Sequence, residues 1–297
     1  MPAESAKCDI EVKLPSPLEE INDDRIARYG IRLYLKRDDL IHPEISGNKW
    51  RKLKYNLAAA QEQGHRTILT YGGAYSNHIR ATAAAGYYFG FSTIGVIRGE
   101  EHMPLNYSLA YAVSRGMRLS YMDRATYRHK DSPEVIAALR REFGNFYLIP
   151  EGGSNALGVQ GCIEITREID RSFDLICCSC GTGSTLAGMA AGLHGGQRAL
   201  GFAALKGGQF LAEEVKKLQR DAFGFNSDNW RIEYDFHFGG YAKAKPELHG
   251  FIADFKERHN IGLDWVYEAK MMYGLFALVQ GESIKDRVVV AVVAGTA

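Results

Sequence analysis

The sequence predicts an α/β protein: mostly parallel sheet with helices packed on its faces. Three observations lead there. Short apolar strands alternate with helix-period segments along most of the chain, and the connections between them are short. Polar, glycine-rich turns recur where a strand hands over to a helix. Glycine supplies 32 of 297 residues against only 8 prolines, a bias that suits tight turns around a ligand.

Residues 31–36 alternate as a strand does, and Arg37-Asp-Asp39 ends it. Residues 49–63 carry Trp50, Leu53, Leu57 and Ala60 at intervals of three and four, a helical period. A strand at 67–70 turns through 71–77 into an alanine-rich helix at 78–89, and a strand at 92–97 follows. The rhythm repeats as helix 105–114, strand 118–121, helix 133–143 with Pro133 near its start, and strand 145–149. A turn at 151–154 opens a helix reaching about 169. Then come strand 173–178, turn 181–184, helix 185–193, strand 200–205 and helix 210–218. Helices at 246–260 and 269–279 precede a last apolar strand at 287–293. No long linker or internal repeat marks a domain boundary.

Composition removes several classes of function. Hydrophobic residues make up 46% and charged residues 24%, with Lys+Arg 36 against Asp+Glu 35, so a strongly basic nucleic-acid binder and an acidic disordered chain are both excluded. No apolar window of membrane-spanning length occurs, so no membrane partner is expected. Residues 1–13 lack the apolar core of a signal peptide, and the expectation is a cytoplasmic protein. The five cysteines, Cys8, Cys162, Cys177, Cys178 and Cys180, are odd in number and three crowd one apolar run, unlike a disulfide framework. Cys177 and Cys180 formally match C-x-x-C, but residues three apart on a strand point to opposite faces. Core packing is the expectation there, and no metal site is.

Three polar turns could carry chemistry. Gly181-Thr-Gly-Ser-Thr185 lets backbone amides converge at a helix N-terminus, with two hydroxyl residues at its end, as an anion site does; the plainer reading is a tight turn. Ser46-Gly-Asn-Lys49 places a cation in the first turn of a helix, where the dipole disfavours it by about 0.3–1 kcal/mol. If Lys49 faces a pocket, that field favours the neutral amine a Schiff base requires; otherwise it is a solvated charge. Tyr75-Ser-Asn-His78 offers amides and polar side chains, or simply a helix cap by Ser76 or Asn77. All three follow strands, so they are expected along one sheet edge, converging on one pocket. On the residues alone, Tyr241 and Tyr267 read as core or pocket aromatics, and Glu268 as a solvated acid.

Five ordered motifs change that reading. Ser46-Gly-Asn-Lys-Trp-Arg-Lys-Leu53, Gly72-Gly-Ala-Tyr-Ser-Asn-His78, Pro150-Glu-Gly-Gly-Ser-Asn-Ala-Leu-Gly158, Gly181-Thr-Gly-Ser-Thr185 and Val266-Tyr-Glu268 together resemble the family of 1-aminocyclopropane-1-carboxylate (ACC) deaminase and D-cysteine desulfhydrase. This is a branch of the tryptophan synthase β-like, fold type II, pyridoxal-phosphate enzymes, and the likeness runs from about Leu14 to Arg287. It implies two domains, each with a mostly parallel sheet flanked by helices. Residues 1–44 and 151–297 would form the large cofactor-binding domain, and 45–150 the small domain carrying Lys49 and the Ser76-Asn77 turn.

The resemblance implies pyridoxal 5'-phosphate as cofactor and Lys49 as the lysine joined to it. It implies Asn77 on the cofactor's phenolic oxygen, and Gly181, Thr182, Gly183, Ser184 and Thr185 around the phosphate, assisted by Lys52. Glu268 would face the pyridine nitrogen. Ser76, Asn77, His78 and Tyr267 would meet the substrate, and Lys49, Ser76, Tyr241 and Tyr267 would take part in catalysis. The chain departs from the family pattern at Ala269, where glycine is usual, and at Val293 and Ala294, where a His followed by Leu or Thr is usual. The implied activity is deamination of ACC to 2-oxobutanoate and ammonia, favoured over the desulfhydrase by a carboxylate at 268 rather than a hydroxyl. The alternatives are a D-cysteine desulfhydrase giving pyruvate, sulfide and ammonia, and a cofactor-binding homologue with weak or no turnover. The family also implies a homodimer acting on a small amino acid.

Overall fold

The computed structural model describes residues 10–45 and 47–295; Cys8, Ser46, Thr296 and Ala297 lie outside them. In chain order the elements are β1 (Leu18–Ile21), α1 (Asp24–Ala27), β2 (Arg32–Arg37), α2 (Asn48–Glu62), β3 (Thr67–Gly72), α3 (Asn77–Phe89), β4 (Ser92–Arg98) and α4 (Tyr107–Ser114). They continue with β5 (Met117–Met122), α5 (Arg124–Tyr127), α6 (Pro133–Phe143), β6 (Tyr147–Ile149), α7 (Ala156–Arg167), β7 (Leu175–Cys180), α8 (Ser184–Ala191) and β8 (Arg198–Ala203). The last are α9 (Leu211–Phe223), β9 (Trp230–Glu233), α10 (Pro246–His259), α11 (Glu268–Gln280) and β10 (Val288–Val293).

Among the described residues the strands form two sheets, ordered β1-β2-β10-β7-β8-β9 and β5-β4-β3-β6. Pairing is parallel throughout except at the edge, where β1 runs antiparallel to β2. The expected α/β class with two helix-flanked sheets is what the chain adopts. No helix among the described residues is long and apolar enough to cross a membrane. The proposed division at 44/45 and 150/151 leaves each sheet whole.

Alternation decides which face each strand residue meets. Leu33, Leu35, Cys177, Val289, Ala291 and Val293 pack with Phe255 of α10 and Leu275 of α11. Their neighbours Tyr34, Ile176, Cys178, Cys180, Val290 and Val292 pack on the other side with α7, α8 and α9. Cys177 and Cys180 therefore sit in different cores across one sheet, as the strand period requires. Both are buried free thiols, and burial pushes Cys177 upward, away from the reactive thiolate.

The elements that periodicity overlooks are β1, α1, α5 and β9. The two strands are the outer edges of the larger sheet, and Glu19, Glu20, Arg231 and Glu233 occupy half of their eight positions. An edge strand buries little and tolerates charge, so no apolar run announces it.

The three polar turns do not share a sheet edge, contrary to expectation. The turn after β3 belongs to the four-stranded sheet and the turn after β7 to the six-stranded one. Residues 47–49 follow a short 3-10 turn at Asp38–Leu40 rather than β2 itself. The turns are brought together by the way the sheets meet, through α2 and α7. Those helices cross so closely that a Cβ on Gly161 would lie 1.8 Å from the Arg51 carbonyl oxygen.

A buried charge network holds the start of α2. The Arg51 guanidinium, wholly buried, donates to Asp38 at 2.9 Å and 3.2 Å and to Glu168 Oε2 at 2.8 Å. Lys36, equally buried, reaches the same Glu168 oxygen at 2.8 Å and the Ser16 carbonyl at 2.7 Å. The Ser16 hydroxyl donates to Asp38 at 2.6 Å, and the Gly47 amide to the Asp38 carbonyl at 2.9 Å. One cluster thus ties β2, the turn before Lys49, α2 and the end of α7 into a single unit.

Candidate active site

Lys49 lies in the first turn of α2. The residue before the helix, Gly47, has φ +64°, and a Cβ there would strike the Ala294 carbonyl oxygen at 1.7 Å. Only glycine lets the helix start so close to the end of β10. The Lys49 ammonium donates to Asn48 Oδ1 at 2.7 Å, and Asn48 Nδ2 donates to Thr185 Oγ1 at 3.3 Å. Burial pulls the Lys49 amine down to about 7, the neighbouring Lys52 cation adds to this, and Glu268 opposes it. Burial, rather than the helix dipole, is the main cause. Competitive acylation of the cofactor-free protein, followed by mass spectrometry, is expected to show labelling of Lys49 rising with a midpoint near pH 7. A midpoint above 9 would mean the amine is solvated.

The turn before α8 forms the floor of an anion cradle. Gly183 has φ +82°, Ser184 and Thr185 are buried, and the helix amides behind them lack intrahelical acceptors. The Ser154 hydroxyl donates to Thr182 Oγ1 at 2.6 Å and lies 3.1 Å from Ser184 Oγ. Gly152 and Gly153 both have positive φ; Cβ atoms there would sit 3.2 Å from Thr182 and 3.0 Å from Lys52. Lys52 is 4% exposed, and burial lowers its ammonium. Ser154 and the glycine pair were not assigned a role from sequence, although they lie in a motif quoted above. Two glycines before a hydroxyl residue and a helix were the available signal.

His78 is buried behind this cradle, its ring against the Gly153 backbone. Thr70 Oγ1 donates to the Ile149 carbonyl at 2.8 Å, so the 2.9 Å contact between Thr70 Oγ1 and His78 Nε2 makes the imidazole the donor. Nδ1 is then a bare acceptor, buried and without a partner among the described residues. Burial, followed by the Lys49 and Lys52 charges, keeps the ring neutral by lowering it well below 6.5. Ser76 caps α3, accepting from the Ile79 amide at 3.3 Å, which leaves its own proton free; Asn77 is exposed at the helix start.

On the other wall Tyr267 lies against the 181–185 turn, where a Cβ on Gly181 would be 3.1 Å from its ring. Tyr241 meets it edge to face with ring centroids 5.9 Å apart. Burial first, then Tyr241, raises the Tyr267 phenol well above its usual range and keeps it protonated. Tyr241 is 47% exposed, so it is not a core aromatic. Glu268 is no solvated acid either. It is 3% exposed at the start of α11, and burial together with the neighbouring Asp264 carboxylate holds its acid form well above the usual range. Asp264, which sequence reasoning passed over, accepts from the Val266 and Tyr267 amides at 3.0 and 2.7 Å. Gly295, just beyond Val293 and Ala294, lies beside Glu268, so the altered end of β10 borders the site.

These groups cluster at the C-terminal ends of β6 and β7, where ligands bind in α/β proteins. A cavity of about 540 Å³ opens at the opposite ends of the strands, lined by Arg198, Arg231, Lys285 and Arg287. Three of these charges are matched locally, Arg287 with Asp174 at 3.7 Å, Lys285 with Glu282 at 3.9 Å and Arg231 with Glu233 at 3.1 Å, and Arg198 donates to the Asp228 carbonyl at 3.1 Å. Among the described residues no group of three or more His, Cys, Asp or Glu could hold a metal ion.

A lowered amine, a hydroxyl-and-amide cradle with a buried lysine, and a buried carboxyl fit a phosphorylated aldehyde with a basic ring nitrogen. That donor set is chemically compatible with pyridoxal phosphate. The orphaned His78 Nδ1 and the bare Gly152–Gly153 surface mark polar space that the protein itself does not fill. Residues 12–295 match the family model described as pyridoxal-phosphate dependent enzyme, and the chain belongs to that family. Within it the chain is related to the ACC deaminase and D-cysteine desulfhydrase branch. A mitochondrial bifunctional D-cysteine desulfhydrase/ACC deaminase of Arabidopsis thaliana is 32% identical over 284 residues, covering 88% of this chain and 71% of its own. A D-cysteine desulfhydrase of Serratia proteamaculans is 28% identical, covering 91% and 88%. A crystal structure described as an ACC deaminase homologue superposes with TM-score 0.84 at 29% identity, covering 96% of this chain and 90% of that one.

Proposed function

We propose that the protein deaminates ACC to 2-oxobutanoate and ammonia. The observation that carries this choice is Glu268: a buried carboxyl, not a hydroxyl, stands at the start of α11 within the electrostatic reach of Lys49. Bound in this site, pyridoxal phosphate supplies an aldehyde carbon that captures an amine and a ring that withdraws electrons from it.

Each side chain then has a definite task. Thr182, Ser184 and Thr185, with the first amides of α8 and the Lys52 ammonium, hold the phosphate. Lys49 starts as the neutral amine that forms the covalent link and afterwards carries protons at Nζ. Asn77 binds the phenolic oxygen. The Ser76 hydroxyl and the first amides of α3 hold the substrate carboxylate, the helix N-terminus favouring an anion. Tyr267, kept protonated, and Tyr241 bind and orient the substrate carbon skeleton opposite Lys49. Glu268 would face the ring nitrogen; the proton that burial and Asp264 hold on its carboxyl would pass to that nitrogen, leaving a carboxylate that stabilises the protonated ring.

D-cysteine is the second reading, supported by a relative whose name carries both activities. The reconstituted enzyme is to be incubated with ACC and with D-cysteine. The expected result is 2-oxobutanoate from ACC at an ordinary enzymatic rate, roughly 1–10³ s⁻¹. Pyruvate and sulfide from D-cysteine without 2-oxobutanoate would replace the first reading by the second. A cofactor-loaded protein turning over neither would be the weak homologue that Val293 and Ala294 suggest.

A further inference from the structure

Lys270 is a buried cation for which the preceding roles give no use. It is 1% exposed and lies in the first turn of α11, where the helix field repels a positive charge. Burial pulls its ammonium down to about 8, against the attraction of Asp264. No carboxylate among the described residues comes within ion-pair distance of it. A methionine would fill such a position at lower cost, so the charged end group has a task.

That task is visible in its hydrogen bonds. The Lys270 ammonium donates to the Gly240 carbonyl at 2.8 Å and to the Ala204 carbonyl at 3.2 Å. Ala204 follows β8, and Gly240 immediately precedes Tyr241. The turn around Gly240 is strained: Phe238 has φ +54°, Gly239 +98°, Gly240 +125° and Ala242 +49°. Two non-glycine residues in the left-handed region hold only when surrounding contacts over-determine them. Phe238 supplies one anchor, its ring 4.9 Å from Tyr273. Lys270 supplies the other, two residues beyond Glu268 and three beyond Tyr267.

We propose that Lys270 is a positioning residue that staples the turn at 238–241 to the end of β8 and to the first turn of α11, and so holds Tyr241 against Tyr267. This rests on the reading that the two tyrosines face the substrate. α11 thereby presents Tyr267 and Glu268 directly and Tyr241 through Lys270.

The test separates the staple from the catalytic reading. Lys243 is exposed just beyond the turn, so trypsin cleavage after it, in protein with or without cofactor, reports how firmly the turn is held. Lys270→Met is expected to speed that cleavage, and amide exchange at Gly239–Ala242, by about tenfold or more. Cofactor absorbance should be unchanged. Lys270→Gln, which keeps one donor, should fall between and serves if the Met variant does not fold. In kinetics, Lys270→Met is expected to lower kcat/KM about tenfold with Tyr241 present, and less than twofold in a Tyr241→Phe background.

Cleavage and exchange within twofold of the parent in both variants would overturn the staple. Faster cleavage with equal kinetic losses in both backgrounds would reduce Lys270 to a structural residue and overturn its positioning role. If Tyr241→Phe itself costs nothing, the assignment of Tyr241 fails and the positioning role with it, while the proteolysis still judges the contact.

Discussion

Lys49→Ala is expected to abolish the borohydride-trappable adduct and to lower turnover by about three orders of magnitude or more. The amine has two tasks, forming the covalent link and moving protons, and general acid–base transfer alone contributes about 10²–10⁴-fold. Cofactor affinity should fall much less, because the phosphate keeps Thr182, Ser184, Thr185, Lys52 and the α8 amides. Mass spectrometry of the reduced, digested protein and titration of cofactor absorbance check the two halves independently. An adduct persisting on another lysine would remove Lys49 from the centre of the site. Lys52 is the control, being buried nearby but turned to the glycine pair at 152–153.

Arg51→Met is expected to cost about 3–5 kcal/mol of stability, the usual result of stranding buried carboxylates. Asp38 and Glu168 would each lose their guanidinium partner, and Lys36 could satisfy only the second. At about 2–4 °C per kcal/mol, the scale for a chain somewhat shorter than this one, the melting temperature should drop by roughly 6–20 °C. Glu20→Gln breaks the Arg32 pair instead, whose members are 62% and 39% exposed, and should change stability by less than about 1 kcal/mol. Adding Asp38→Asn to Arg51→Met should recover part of the loss, since the carboxylate that Lys36 does not reach is then neutral, while Glu168 keeps Lys36 as its partner. A single-variant loss no larger than that of Glu20→Gln would mean water reaches the cluster.

The same network sets an acid limit. Although burial opposes it, Arg51 and Lys36 hold Glu168 at about 2, below its ordinary 4.5. Its stabilising contribution is therefore complete above pH 4.5 and disappears as the pH falls toward 2. Because α2 begins in this cluster, loosening it also releases the segment carrying Lys49.

Much of this molecule is legible locally. The helix at 133–143 coincides with α6, because Ser132, Pro133 and an amphipathic face specify its start and course within one short segment. Lys49, Ser76 and the 181–185 turn stand out for the same reason: each breaks or exploits a rule of helix ends. Asn48, Asp264 and Lys270 do not stand out, and the glycine pair before Ser154 signals a turn without naming its partner. Nothing about a serine after two glycines, or a lysine inside an apolar helix, shows which distant backbone or hydroxyl it will meet.

By itself the sequence determined the α/β class, the order of nearly every buried element and the chemical character of three helix-start turns, since periodicity and capping act over a few residues. Only the tertiary structure decided that those turns come from two different sheets, and that they meet through the close α2–α7 crossing rather than along one edge. It also decided that Glu268 and Lys49 are buried enough to shift toward their neutral forms, and that Lys270 reaches back to Gly240. Burial and through-space contact join segments from 30 to more than a hundred residues apart, and no local pattern encodes which of them will enclose a given charge.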